Sequence, residues 1–287
     1  VTYLFDGMHG LGDNIYQRAF MRFYPGNYIR TPWPELYQGL NVRCVRSCTE
    51  LRTQQKHELS SFDQYHHLKG GVMRRRIAYG AHDLKQGGVI ETMRRQFGVN
   101  AALTFDLPSF NDPHPLIPPD RVAVIRPATV RTEWASASRN PDPGYLYAAA
   151  DWLRKHGFFV VSVADLEPDK EWIVGDTPPA DLRLHAGELT LTQLCTLYER
   201  ADCVVSPVGF SVPMAIAYNT PLLVVAGGRG GHNAPEVVTA PEMNLTKTRW
   251  AIPDNYCRCT QADHGCNKTI SDFEEKFNWW LNEIVLK

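Results

Sequence analysis

The sequence has no apolar run approaching the roughly 18 residues that a membrane-spanning helix needs. It does not open on a basic segment followed by an apolar one, so no export signal is read and a cytoplasmic protein is expected. Seven cysteines (44, 48, 195, 203, 257, 259 and 266) are an odd number, which argues against a secreted disulfide framework and for a reduced compartment. No compositional extreme is present either. With 44% hydrophobic and 21% charged residues, neither half of the chain needs to be disordered. A length of 287 residues fits two domains better than one.

A further absence lies in the opening stretch MHGLGDNIYQRAF (residues 8–20). A dinucleotide fingerprint needs a third glycine three residues after the second, and here that place holds Ile15. No phosphate-loop lysine follows. An acid in the first helical turn would also repel a phosphate at the helix N-terminus. The motif reads better for its aspartate. Gly10 and Gly12 let the chain turn tightly out of a strand and let a ligand approach the backbone. Asp13 then sits where free N–H groups favour its charged form, placed to accept a proton. The competing reading makes Asp13 a helix cap.

The periodicity predicts alternating strands and helices. Residues 2–5 form a strand and 13–24 a helix, with apolar positions at 15, 16, 19, 20 and 23. Residues 41–45 and 63–68 are weaker strands, and 85–97 a helix closed by Gly98. Five prolines in residues 107–120 exclude helix and central strand and predict a semi-rigid linker. Beyond it the strands are 121–126, 158–164, 203–207 and 221–228, and the helices 143–157, 190–201 and 211–218. A last helix follows a capping box at Ser271 and Glu274. The expected domains are 1–106 and 121–269, with a linker at 107–120 and a terminal helix at 270–287. The fold class is α/β, two Rossmann-like domains.

The net charge of −1 conceals a polarity. Residues 1–126 hold 16 basic and 11 acidic residues, net +5, and the remaining 14 and 20 leave −6. A basic first half points to an anionic partner, against the simpler reading of a solvated surface. Arg74, Arg75 and Arg76 concentrate that charge.

GLGDNIYQRAF resembles the GDxIxxxPxxRxL opening of the heptosyltransferase-like glycosyltransferases, glycosyltransferase family nine, through Gly12, Asp13 and Ile15. The stretch 189–228 (LTLTQLCTLYERADCVVSPVGFSVPMAIAYNTPLLVVAGG) and RPATVRTEW (126–134) are similar to that family's donor-binding half. The resemblance implies two domains facing across a cleft, the GT-B type, with Asp13 as catalytic base. It implies a nucleotide-sugar donor held by the second domain and an acceptor on the first. Where family members that use ADP-heptose carry Asp-Ser-Gly-Pro-x-His, this chain has Val208-Gly-Phe-Ser-Val-Pro213, so the reaction type is carried over and the sugar is not.

On the donor side the glycine-rich turn after a buried strand is the expected diphosphate cradle: Gly227, Gly228, Arg229, Gly230, Gly231, His232 and Asn233. Thr129 and Arg131 join it, and Glu236 is a ribose contact. The alternative is a plain surface turn. The acceptor side is expected from Gly10, Gly12, Arg18, Arg74, Arg75 and Arg76, for an anionic saccharide or, as the rival acceptor, a modified base in DNA. No paired acid sits where a metal-dependent transferase holds its ion, so no cofactor is required. Cys257, Cys259, His264 and Cys266 are enough ligands for one structural zinc, against a cytosolic or oxidised thiol loop. Rival readings are a non-catalytic nucleotide-sugar or nucleic-acid binder and a nucleotide-sugar epimerase.

Overall fold

A computed structural model of the chain describes residues 1–133 and 136–287. It divides into two units. Unit 1 comprises residues 1–108 and 236–243, and unit 2 comprises 109–235 and 244–287.

Unit 1 runs β1 (Tyr3–Asp6), α1 (Leu11–Met21), β2 (Tyr28–Arg30), β3 (Arg43–Val45), α2 (Arg52–Ser60), β4 (Met73–Arg76), α3 (Ala81–Leu84) and α4 (Gly88–Phe97). Its strands pair in parallel in the order β3-β2-β1-β4. Helix α1 forms because residues 15, 16, 19 and 20 recur on one face, and all four are buried. Phe97 anchors this core, stacked on Phe20 and on Phe5 with ring centroids 4.9 Å apart in each pair. Gly98, at φ +71°, ends α4 in the left-handed conformation that glycine adopts freely.

Unit 2 runs β5 (Val122–Ile125), β6 (Thr129–Arg131), α5 (Pro143–Lys155), β7 (Phe159–Val163), β8 (Glu171–Ile173), β9 (Leu182–Leu184), α6 (Leu191–Arg200), β10 (Cys203–Pro207), α7 (Ser211–Ala217), β11 (Leu222–Val225) and α8 (Gly230–Asn233). The chain then passes through α9 (Pro235–Val238), which belongs to unit 1 from residue 236 on, and returns to unit 2 for β12 (Thr248–Ala251) and α10 (Phe273–Trp280). The sheet order is β12-β11-β10-β5-β7-β9, all neighbours parallel, while β6 and β8 form a separate antiparallel pair. Strands β5 and β10 are buried along their whole length, as a sheet covered on both faces requires. Pro143 starts α5 behind an Asp142 cap, and Thr190 with Gln193 caps α6 reciprocally.

Four expectations are corrected. Residues 63–68 make no strand: Phe62–Gln64 is a short 3-10 turn. The helix expected over 85–97 begins only at Gly88, as α4, because Gly87 at φ +131° interrupts the chain after the separate short helix α3. Ser271 caps nothing, because its hydroxyl donates to Asp254 at 2.8 Å and α10 starts after Asp272. The second domain is not continuous, since residues 236–243 return to unit 1. The Tyr16 hydroxyl donates to the Val238 carbonyl at 2.8 Å, and a side chain at position 88 would strike the backbone of Val237.

Candidate active site

An open parallel sheet binds ligands beyond the carboxyl ends of its strands, where the strand order reverses and neighbouring loops part. In unit 1 that point lies between β1 and β4, and in unit 2 between β5 and β10.

In unit 1 the loop from β1 into α1 is fixed from below. Gln17 accepts from the Met8 N–H at 2.9 Å and donates to the Met8 carbonyl at 3.0 Å, and a Cβ at Gly7 would meet its amide oxygen at 2.1 Å. Asn14, fully buried, donates to the Met8 and Gly10 carbonyls and accepts from the hydroxyls of Thr31 and Tyr37. Gly10 is the N-cap of α1 and makes no side-chain cap; Gly12 is the second helical residue. Asp13, half-buried in the first turn, accepts from the Tyr79 hydroxyl through Oδ1. Tyr79 comes from the loop that leaves β4, so the two sides of the switch point meet at this carboxylate. Burial, aided by the charge of Asp13, pushes the Tyr16 hydroxyl far above its ordinary range.

Two expected acceptor residues are structural instead. Arg18 is buried, donates to the carbonyls of Leu36 (2.7 Å), Gln38 and Asp106, and lies 3.4 Å from the Asp106 carboxylate. Arg75 donates to the Phe97 carbonyl and lies over the Tyr3 ring. Arg74 and Arg76 alternate with it on β4 and are exposed.

In unit 2 the glycine turn after β11 is not an open cradle. Gly228, Gly230 and Gly231 donate their N–H groups to the carbonyls of Ser138, Cys257 and Cys259. An added Cβ at Gly227 would lie 2.1 Å from the Asn140 carbonyl oxygen, and one at Gly228 would lie 2.3 Å from the Cys266 sulfur. Arg229 donates to the Thr260 carbonyl and the Ser136 hydroxyl, and Asn233 to the Arg229 carbonyl. His232 lies in the same turn, its pKa lowered by burial and by Arg229. Gly228, Gly230 and Gly231 leave room for the cysteine loop to dock. That loop brings Cys257, Cys259, His264 and Cys266 together, all four ligand atoms within 4.8 Å of one another. Cys257 Sγ and Cys266 Sγ lie 3.5 and 3.3 Å from His264 Nδ1, and Cys259 Sγ lies 3.5 Å from Cys266 Sγ. These spacings suit the edges of a tetrahedron around one metal ion, and the donor set is one that zinc or iron accepts.

Of the remaining expected donor residues, Thr129 donates to Glu171 at 3.0 Å and Arg131 lies 3.5 Å from the same carboxylate. Glu236 is exposed and belongs to unit 1.

The residue that sequence reasoning missed is Arg126, directly after β5. Its guanidinium lies 4.4 Å from the centre of the Phe210 ring, and Phe210 leaves the other switch-point strand, β10. Phe210 packs beside the buried Tyr198, whose hydroxyl pairs with that of Ser211 at 2.6 Å. Arg139 donates to the Val208 carbonyl and fills the space beside Gly209. Among the described residues nothing accepts a hydrogen bond from the Arg126 side chain, nor pairs with it as an ion. Burial lowers its pKa despite the attraction of the Glu171 and Asp165 carboxylates nearby, yet an arginine stays charged, so this cation is incompletely compensated. The available signal was its place, the first residue past a buried strand.

No family model and no curated protein matches the sequence. Solved structures do. The iron-containing dodecameric glycosyltransferase TibC from enterotoxigenic E. coli H10407 is similar over 99% of this chain and 76% of its own, at a TM-score of 0.64 and 13% identity. The ADP-heptose lipopolysaccharide heptosyltransferase II of E. coli is similar over 100% and 99%, at 0.57 and 15%. A family 9 glycosyl transferase from Veillonella parvula DSM 2008 is similar over 99% and 97%, at 0.58 and 12%. The chain therefore has the fold of the heptosyltransferase-like, family 9 glycosyltransferases.

Proposed function

We propose that the protein is an inverting glycosyltransferase that moves a sugar from a nucleotide-sugar to a hydroxyl of an anionic acceptor. The observation that carries this reading is the pair of switch points, one presenting the carboxylate of Asp13 and the other the guanidinium of Arg126. Asp13 takes the proton of the acceptor hydroxyl as its oxygen attacks the anomeric carbon. The bond from that carbon to the diphosphate oxygen breaks as the new bond forms, so one displacement inverts the configuration. The leaving diphosphate gains negative charge, and Arg126, stacked on Phe210 and not locked in a direct ion pair, stabilises it at little cost in reorganisation. The donor site thus lies at residues 126 and 208–210, not at 227–233. Arg74 and Arg76 supply the positive surface for the acceptor's anionic group.

The cysteine loop is read as a structural metal site. Cys257, Cys259, His264 and Cys266 would hold the ion, which supplies a cross-link that fixes the loop against residues 227–231. TibC is described as iron-containing, and the Cys3His set here fits iron or zinc. No step of the transfer is assigned to it.

The test is thermal unfolding against UDP, ADP, GDP, TDP and CMP and their sugars. A ligand at a hundred times its Kd adds about 2.7 kcal/mol, a rise on the order of 5–10 °C if the chain unfolds as one. A shift with one nucleotide, lost in Arg126→Gln, supports the reading. No shift with any of them overturns the donor site.

A further inference from the structure

The two edges of the unit 1 sheet differ. At β3 the edge is occupied, since the His66 N–H donates to the Cys44 carbonyl at 2.8 Å. At β4 it is open: among the described residues no strand pairs with its outer side. The register against β1 runs unbroken from Met73 opposite Tyr3 to Arg76 opposite Asp6. The N–H groups of Met73 and Ile77 donate inward, to the carbonyls of Thr2 and Asp6. Backbone groups alternate sides along a strand, so the N–H and C=O groups of Arg74 and Arg76 face outward. Side chains alternate between the faces as well. Arg74 and Arg76 share one face, exposed and without a hydrogen bond or ion pair among the described residues. Met73, 55% exposed, lies on the other face with Arg75. The approach to the strand adds an exposed Lys69, and open space surrounds Gly70 and Gly71.

Natural sheets guard an open edge with proline, a bulge or charge. Strand β4 has neither proline nor bulge, so its guard is charge, and charge is selective. A second copy of this chain would set arginine against arginine, which destabilises a strand pair, whereas an acidic strand is attracted. We propose that β4 docks an extended acidic polypeptide, which adds as a fifth strand with its carboxylates on Arg74 and Arg76 and an apolar side chain on Met73. The inference rests on the reading of these two arginines as the acceptor's surface and makes the anion a row of carboxylates. Main-chain hydrogen bonds supply the attachment, and alternate side chains the selectivity. The carboxyl end of β4 runs into the loop of Tyr79, whose hydroxyl meets Asp13, so a strand docked here leads toward the proposed base.

The experiment follows fluorescence anisotropy of a labelled peptide of about eight residues, alternating glutamate and valine, as the full chain is added. Binding is expected, weakening as salt is raised. It should fall about two- to thirtyfold in the double variant Arg74→Gln, Arg76→Gln, the worth of two exposed ion pairs. Both side chains are on the surface, so that variant should fold. Two further peptides carry methyl groups on the nitrogens of the glutamates or of the valines. A strand presents only alternate N–H groups to its neighbour, so one pattern should abolish binding and the other leave it. Equal binding of the two methylated peptides would show contact through charge alone and overturn the proposal. So would no binding of the parent peptide, or tighter binding of an oligothymidylate of the same charge. The nucleotide panel above is run on the same preparation. A nucleotide shift without peptide binding removes this inference and leaves the transferase reading standing; peptide binding without a nucleotide shift removes the donor site and leaves the docking edge.

Discussion

The two units use one device with opposite charge. In each, the first strand of the unit and the strand on its far side part to leave a switch point, and a loop from each strand supplies one member of a pair. In unit 1 the pair is a carboxylate and a phenol, Asp13 and Tyr79, joined by a hydrogen bond. In unit 2 it is a guanidinium and an aromatic face, Arg126 and Phe210. The difference follows from what each partner can do. A phenol donates to a carboxylate and lowers its need for solvent. A benzene ring attracts a cation without neutralising it, which leaves the guanidinium able to take an anion. In the proposed reaction the carboxylate of unit 1 takes the proton and the guanidinium of unit 2 receives the negative charge, the two requirements of a single displacement.

That comparison can be broken most sharply at Asp13. Asp13→Asn should cut transfer by about a hundred- to ten thousandfold, the range for a general base, with nucleotide binding unchanged. Equal loss of binding would show that the units are not divided as argued. Arg126→Gln should weaken nucleoside diphosphate affinity about ten- to a hundredfold in calorimetry while leaving the fold intact. Phe210→Leu keeps the volume roughly and removes the ring, so it should fall between wild type and Arg126→Gln.

A smaller effect sharpens the contrast between the true switch point and the glycine turn beside it. Gly228→Ala forces a methyl against the sulfur of Cys266 and the Ser138 carbonyl. Overpacking of that kind costs about 1–3 kcal/mol. The loss should appear as a lower unfolding temperature, with nucleotide affinity retained once folded. A metal chelator should lower the same temperature in the wild type.

The smallest expected effect lies in unit 1. Burial alone would raise the pKa of Glu35, but hydrogen bonds with His57 and from Ser61 bring it below its ordinary value. A depressed carboxylate contributes stability that is present above its unfolded pKa and is lost as pH falls through the folded one. Unfolding followed below the ordinary carboxylate range should therefore show a pH dependence that Glu35→Gln reduces.

Much of the fold was legible because the strands of unit 2 are continuous apolar runs and its helices carry their own stops and starts. The opening motif was legible for the same local reason: a strand, two glycines and an acid lie within a dozen residues. What was not legible depended on pairing across distance. GGRGG reads alike whether its N–H groups face a phosphate or the carbonyls of Cys257 and Cys259, some thirty residues later. Arg126 looked like the last letter of a strand until β10 was known to lie beside β5. Tyr79 gave no signal at all, since only the pairing of β4 with β1 brings it to Asp13. Arg18 was misread for a different reason. A charged residue in a motif invites a ligand, and its buried carbonyl partners at Leu36 and Gln38 could not be foreseen from spacing.

The return of residues 236–243 to unit 1 bears on how the chain is made. Arg94 pairs with Glu242, the Tyr16 hydroxyl with the Val238 carbonyl, and Gly88 lies against Val237. None of these partners exists when Pro108 leaves the ribosome. At about 5–20 residues per second the missing segment follows roughly six to twenty-seven seconds later. Unit 2's first strands are by then already out of the exit tunnel, so the earlier-born unit is completed after much of the later one has been synthesised. A chain cut after Pro108 would carry every letter of the opening motif and still lack the piece that closes its own core.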